Sequence, residues 1–243
     1  MLVSSDKFIM KTKKIISILG LLLFTFMLKA QLIRFYENGK IGYHDSSGTE
    51  IVSPHYDYGS DFSEGFALVV KNTQRGFINE KGEEIISLQF DDASCFHNGL
   101  AKVGANGNYG FINTNGEISI PLQYQFADDF VSELARVQQN GKFGFIDIKG
   151  KIIIPFIYDD ALSFSEGLAA VKQNGKWGFI DVSGNFIIQP KYFNALSFTN
   201  GEALVQYNDE QIYIDKKGKR TREFIDEEEN ERGESRKKGK SNY

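Results

Sequence analysis

Glycine recurs at Gly42, Gly76, Gly110, Gly144 and Gly178, and every step is 34 residues. A second glycine stands six residues after each of these, at Gly48, Gly82, Gly116, Gly150 and Gly184, and once more at Gly218. Valine keeps the same step at Val69, Val103, Val137, Val171 and Val205, and phenylalanine keeps it at Phe62, Phe96, Phe130, Phe164 and Phe198. Asparagine does so at Asn38, Asn72, Asn106, Asn140, Asn174 and Asn208. No insertion or deletion breaks the register from Leu32 to Gly218. A fixed period of this kind means one supersecondary unit, repeated, whose copies stack to bury their apolar faces. One unit holds about eight apolar side chains worth roughly 1.5–3 kcal/mol each. Ordering its backbone costs about 1–2 kcal/mol per residue. No unit therefore folds alone.

The residues of one unit spell strands. Leu168 to Val171 is apolar, and Asn174-Gly175 is a strong two-residue hairpin signal, because a type I′ turn needs φ > 0 at both positions. Trp177 to Asp181 is then the returning strand. Asp181-Val182-Ser183-Gly184 is a second turn, and Phe186 to Ile188 a third strand that Pro190 is expected to end. The turn sets the pairing, with Val171 opposite Gly178 and Ala169 opposite Ile180. Both faces of the hairpin are apolar, so both must be covered. A glycine opposite a valine leaves room for close approach of a neighbour. The connector Tyr158, Ala161, Phe164 has a spacing of three, which predicts one turn of 3₁₀ or α-helix. Six three-stranded meanders follow, starting near Leu32, Phe66, Leu100, Leu134, Leu168 and Glu202, with degenerate ends that read as caps. The expected fold is all-β, an open solenoid-like array of antiparallel meanders, with a closed propeller-like ring as the alternative.

The blocks Gly175-Lys176-Trp177-Gly178-Phe179-Ile180-Asp181, Phe186-Ile187-Ile188 with Pro190, and Phe164-Ser165-Glu166-Gly167-Leu168-Ala169 resemble the WG-repeat family, also written KWG repeats. The resemblance covers nearly all of the chain after residue 30. The family's tryptophan survives only at Trp177; Ile41, Arg75, Tyr109, Phe143 and Gln211 take its place elsewhere. The resemblance implies a tandem β-repeat of the kind often found in exported bacterial proteins. It implies no settled activity and brings no catalytic residues.

The two ends differ from this body. Lys11, Lys13 and Lys14 precede the apolar run Ile15 to Met27, and Ala30 follows. That order is expected of an export signal cleaved after Ala30. At about 1.5 Å per residue the run is too short for a bilayer core of about 30 Å. No cysteine follows it, so no lipid anchor is expected. Residues 31–224 form the repeat domain, with a last strand near Glu223-Phe224-Ile225. Residues 225–243, which include Asp226 to Glu229 and Arg236 to Lys238, read as a disordered charged tail. The expected destination is the periplasm, the cell surface or the medium.

The whole chain has 28 Lys and Arg against 32 Asp and Glu, net −4. Residues 1–30 hold five Lys and one Asp, so the remainder carries 23 against 31, net −8. An acidic body argues against general nucleic-acid binding and against docking on anionic membrane. Cys95 is the only cysteine, so an exported domain has no internal disulfide. His44, His55 and His97 lack metal-ligand spacing, and no metal or other cofactor is expected. The acidic pairs Asp91-Asp92, Asp128-Asp129 and Asp159-Asp160 suggest glycosidase-like carboxylates, but they sit in the repeated connector, where capping of the helical turn is expected instead. Asp45, Asp147, Asp181 and Asp215 occupy one turn, yet Asn79 and Asn113 replace them, and nothing resembles a calcium loop.

No catalytic motif is present, and a non-catalytic protein is expected. Repeat arrays work through extended surfaces. The candidate ligand contacts are the aromatic ladder Tyr109, Phe143 and Trp177 and the repeat-variable residues Arg75, Lys102, Arg136, Gln138 and Lys172. The ladder is either the inter-repeat core or a stacking platform for sugars. The leading expectation is a macromolecular interaction module in the envelope or outside the cell. A carbohydrate or peptidoglycan binder stands second, and an envelope hydrolase third.

Overall fold

A computed structural model describes residues 32–223. The expected leader, and all but Glu223 of the expected last strand and tail, lie outside the described residues. Six separate antiparallel sheets follow one another along the chain. The first is β1 (Ile33–Glu37), β2 (Lys40–His44) and β3 (Glu50–Tyr56). The second is β4 (Tyr58–Gly59), β5 (Phe66–Lys71), β6 (Gln74–Asn79) and β7 (Glu84–Phe90). The third is β8 (Asp92–Ala93), β9 (Leu100–Ala105), β10 (Asn108–Asn113) and β11 (Ile118–Tyr124). The fourth is β12 (Phe126–Ala127), β13 (Leu134–Gln139), β14 (Lys142–Asp147) and β15 (Ile152–Tyr158). The fifth is β16 (Asp160–Ala161), β17 (Ala169–Gln173), β18 (Lys176–Ile180) and β19 (Phe186–Tyr192). The sixth is β20 (Asn194–Ala195), β21 (Glu202–Tyr207), β22 (Glu210–Asp215) and β23 (Arg220–Glu223).

The predicted hairpin register holds: Val171 pairs with Gly178 and Ala169 with Ile180. The turn between them has φ 51° at Asn174 and 75° at Gly175, the left-handed pair a type I′ turn demands. The two faces then meet different neighbours. Ala169, Val171 and Ile180 pack on Phe145, Ile154 and Tyr158 of the preceding sheet. Ala170, Trp177, Phe179, Ile188 and Tyr192 pack on Ala203, Val205, Ile212 and Ile214 of the following one. Five such layers fill the junctions between consecutive sheets. Each sets small Ala and Val side chains against large Phe, Tyr and Ile, so that the faces interdigitate. The closely packed strand pairs join each sheet to the next, and none joins the first sheet to the last among the described residues.

Three expectations need correction. The connector contains no helical turn, and no helix occurs among the described residues. Each connector instead begins with a two-residue strand that adds to the edge of the next hairpin, as Asp160 and Ala161 do opposite Lys172 and Val171. Five of the six sheets are therefore four-stranded, not three-stranded. The spacing of three between Tyr158, Ala161 and Phe164 arises because the chain leaves one sheet and joins the next with a single residue between strands. A two-residue strand has no local propensity to announce it, since its ladder partners lie far along the chain. Phe164 then packs on Phe145 of the preceding sheet, ring centroids 4.9 Å apart.

Pro190 does not end its strand. It lies in a bulge, where Trp177 pairs with Tyr192 but Phe179 with Ile188. Extra residues on the third strand arch over Gly178, and a proline fits there because no ladder donor is needed. This bulge is also the reason for the recurrent glycine. A Cβ built at Gly144 would lie 2.6 Å from the Ile154 carbonyl oxygen, and one at Gly110 or Gly178 would lie 2.5 Å from the Ile120 or Ile188 oxygen. The close neighbour is thus the third strand of the same sheet rather than another repeat.

Gly144→Ala is expected to destabilise by about 2 kcal/mol or more, since the obstructing atoms are backbone; the urea midpoint checks it. Thr73 has φ 68° where four other repeats place Gly39, Gly107, Gly141 and Gly175. A β-branched residue there costs about 1–2 kcal/mol, and glycine's greater unfolded freedom takes back about 0.5–1. Thr73→Gly is expected to stabilise by about 0.5–1 kcal/mol in the same assay.

Candidate functional site

Six of the eight candidate contacts fall into two groups, one around the short strand of the third sheet and one around that of the fourth. On β8, Asp92 lies between two cations: Arg75 Nε at 3.7 Å, from the preceding sheet, and Lys102 Nζ at 3.6 Å. The Lys102 ammonium stands 5.7 Å from the Tyr109 ring centroid. Arg75 also donates to the Asp91 carbonyl. On the fourth sheet the Arg136 guanidinium sits 4.8 Å from the Phe126 ring and 5.4 Å from the Phe143 ring. It bonds Asp128 at 2.8 Å and donates to the Ala161 carbonyl of the following repeat. Ser163 Oγ, also of the following repeat, donates to the same Asp128 carboxylate at 2.6 Å. Gln138 is in register with both Phe126 and Phe143. The Arg136 side chain is only 15% exposed, so this pair is more than a surface ion pair.

The other two candidates stand apart. Trp177 is 6% exposed and belongs to the core between the fifth and sixth sheets. Lys172 is half-buried opposite Asp160 and Trp177. The ladder is thus not one continuous platform: Tyr109 and Phe143 are half-buried beside cations, and Trp177 is enclosed. The residues that sequence reasoning missed are Asp92, Phe126, Asp128 and Ser163 as partners of the variable cations. A signal existed for one of them. Asp128 stands where the other repeats have Ser60, Ser94, Leu162 and Leu196, and Arg136 stands where they have Leu68, Lys102, Ala170 and Leu204.

The repeated carboxylates are structural, although not as helix caps. Asp57 accepts from the Asn72 N–H at 2.7 Å, and Asp91 from the Asn106 N–H at 2.8 Å. Each holds the tight turn of the next hairpin. Asp159 takes Lys142 at 2.5 Å, and that bond first, with the Gly175 and Asn174 amides, holds its carboxyl below the usual range. In the second turn Asp181 Oδ1 accepts from the Ser183 N–H at 2.9 Å and the Asn185 N–H at 2.8 Å. These bonds, led by those from Asn185, hold its carboxyl low as well. Asn79 makes the same two bonds through its amide oxygen, to Lys81 and Glu83. The turn needs an acceptor oxygen and not a charge, which is why Asn and Asp alternate there. Asp45 and Asp215 are lowered likewise, Asp45 first by the Ser47 hydroxyl and Asp215 first by the Lys219 amide. Among the described residues no three His, Cys, Asp or Glu side chains gather as a metal site requires. Cys95 is half-buried against the core between the second and third sheets.

Repeated sheets of one backbone design define a tandem-repeat scaffold. The model of the WG containing repeat matches residues 41–72, 76–109, 109–143, 143–177 and 177–210, and the chain belongs to that family. No curated protein sequence matches the chain. Among solved structures, the crystal structure of a eukaryotic initiation factor aligns with a TM-score of 0.52 at 12% identity. That alignment covers 82% of this chain and 63% of the initiation factor, so this chain spans less of its length than two thirds. Hsv2p of Kluyveromyces lactis aligns with a TM-score of 0.48 at 7% identity, covering 76% and 71% of the two chains. A protein of unknown function from Bacteroides caccae aligns with a TM-score of 0.30 at 14% identity, covering 82% and 95%. The first likeness speaks to the fold alone.

The lowered carboxyls give a pH expectation with a definite sign. A group whose folded pKa lies below its unfolded one stabilises above the unfolded value, and that stability is lost as pH falls through the folded value. Stability is therefore expected to be level from pH 7 to about 5 and to decline below about 4. Asp181→Asn keeps the turn and reduces the acid slope, whereas Asp181→Ala lowers the midpoint at neutral pH; thermal denaturation of both variants across pH checks this.

Proposed function

We propose that the chain is an exported, non-catalytic repeat protein that binds another macromolecule, most simply a protein of the cell envelope or the extracellular space. One observation carries this reading. Five four-stranded sheets share a backbone design, while the cross-strand pairs Val70–Arg75, Gly104–Tyr109, Gln138–Phe143, Lys172–Trp177 and Gln206–Gln211 differ in every repeat. A constant scaffold with a variable row is how repeat arrays make extended contact surfaces. The carboxylates that suggested hydrolysis are bound to turn amides and cations, which supports the non-catalytic reading.

We further propose that the array is open. Ala67, Ala101, Ala135, Ala169 and Ala203 are at most 1% exposed, whereas their equivalent in the first sheet, Ile33, is 49% exposed. At the other end, Arg222 stacks 3.6 Å from the Tyr213 ring and bonds Glu202 at 3.0 Å, covering the far face with charge. A closed ring would press these two faces together. The carbohydrate alternative loses its best stacking ring, because the enclosed Trp177 has no free face.

The test is a pull-down from envelope extract with the exported protein, with bound proteins and glycans identified together. A specific protein partner whose recovery falls on Arg136→Ala or Lys172→Ala is expected. Recovery of glycan alone would replace this reading with sugar binding.

A further inference from the structure

Among the described residues the first sheet has three strands, without the short added strand of the other five. In the other five, a two-residue strand lies against the first long strand: Tyr58 and Gly59 on Val70 and Val69, and so on through Asn194 and Ala195 on Gln206 and Val205. Each such connector donates two backbone N–H groups at 2.7–3.0 Å. Asp57 donates to Val70 and Ser60 to Leu68; Phe193 donates to Gln206 and Leu196 to Leu204. The equivalents on β1 of the accepting carbonyls are those of Tyr36 and Arg34. In the β1–β2 register Glu37 pairs with Lys40 across the two-residue turn. Arg34 and Tyr36 therefore alternate with the residues bonded to β2, and their N–H and C=O groups point away from it. Among the described residues no strand pairs with that edge. The face beside it is apolar as well, with Ile33 49% exposed and Phe35 half-buried.

The chain itself states what fits there. Every added strand ends in a small residue, Gly59, Ala93, Ala127, Ala161 or Ala195. Three residues later comes a phenylalanine, Phe62, Phe96, Phe130, Phe164 or Phe198, that packs into the sheet junction. Around Phe164 that junction includes Ala169 and Val171 of the sheet the short strand joins, and their equivalents on β1 are the exposed Ile33 and the half-buried Phe35. The residues after β23 do not continue this pattern. Counted by the same step, Asp226 falls where Tyr192 is buried and Glu229 where Ala195 is buried, so the tail is ill suited to close the array onto β1.

Resting on the interaction-module reading, we propose that the open edge of β1 is a strand-addition site. Its ligand is an extended segment of another polypeptide bearing a small residue followed three positions on by an aromatic one. Backbone bonds to Arg34 and Tyr36 supply affinity, and the small and aromatic residues supply selection, as in β-augmentation.

The probe is a synthetic peptide with the sequence of Tyr56 to Glu64, the chain's own example of such a segment. Its binding to the full chain is followed by anisotropy and by hydrogen exchange of β1. The expected result is saturable binding with slowed exchange at Arg34 and Tyr36. N-methylation of the peptide at Ser60, or Phe62→Ala within it, is expected to weaken binding about tenfold or more. Equal binding of the methylated peptide would overturn the proposal. So would protection of β1 in the free chain, either at all concentrations, where residues preceding Leu32 fill the edge, or only at high concentration, where a second copy does. If the peptide fails while a protein partner is still recovered from extract, the assignment to β1 falls and the interaction reading stands.

Discussion

Each inner sheet of this chain has two apolar faces, and neither is tolerable in water. Everything else in the structure follows from the way consecutive sheets relieve one another. The near face is built from Ala, Val and Ile that are at most 1% exposed in five sheets, and the far face from Phe or Tyr with Ile. Small against large lets the backbones come close and leaves no room for another arrangement. The same requirement explains the unbroken period. An inserted residue anywhere in a strand would turn its side chains onto the wrong face, and the tight turns at Asn174-Gly175 and Glu166-Gly167 leave no slack to absorb it.

The polar groups are arranged in service of that stack. Asp57 and Asp91 hold the turns of the hairpins that follow them, and Asp181 and its counterparts close the second turn of each sheet. Ser63 Oγ donates to the Phe96 carbonyl at 2.7 Å and Ser165 Oγ to the Phe198 carbonyl at 2.7 Å, tying adjacent connectors together. The cations of the third and fourth sheets depart from this economy. Lys102 and Arg136 stand where other repeats keep Leu68, Ala170 and Leu204, and they pair with Asp92 and Asp128. Burying charge at a position where an aliphatic side chain also fits contributes little to stability, which is why these residues draw attention as contacts rather than as scaffold.

Much of this was legible in the residues. The Asn-Gly turn set the Val171 to Gly178 register because a two-residue I′ loop allows only one pairing, and the alternation then assigned both faces. The short strands were not legible. Asp160-Ala161 forms a strand through partners at Lys172 and Val171, and nothing in its own composition distinguishes it from a helical turn. The bulge over Gly178 was not legible either: a proline after an apolar run reads as a strand end, and only the pairing of Trp177 with Tyr192 shows the strand continuing past it. In the candidate site the variable cations could be picked by comparing the repeats, but the meeting of Arg75 with Asp92 and of Ser163 with Asp128 depends on packing between sheets, which one repeat read alone does not contain.

The connectors have a mechanical consequence. Between β19 and β20 only Phe193 intervenes, so one stretch of chain is the last strand of the fifth sheet and the first of the sixth. Tension along such a chain cannot be relieved within a sheet; it peels the terminal sheet away together with the seam that fastens it. Each release frees 34 residues, roughly 110 Å of extended chain at about 3.3 Å per residue. Pulled from its ends, such a chain is expected to lengthen in stages of that size.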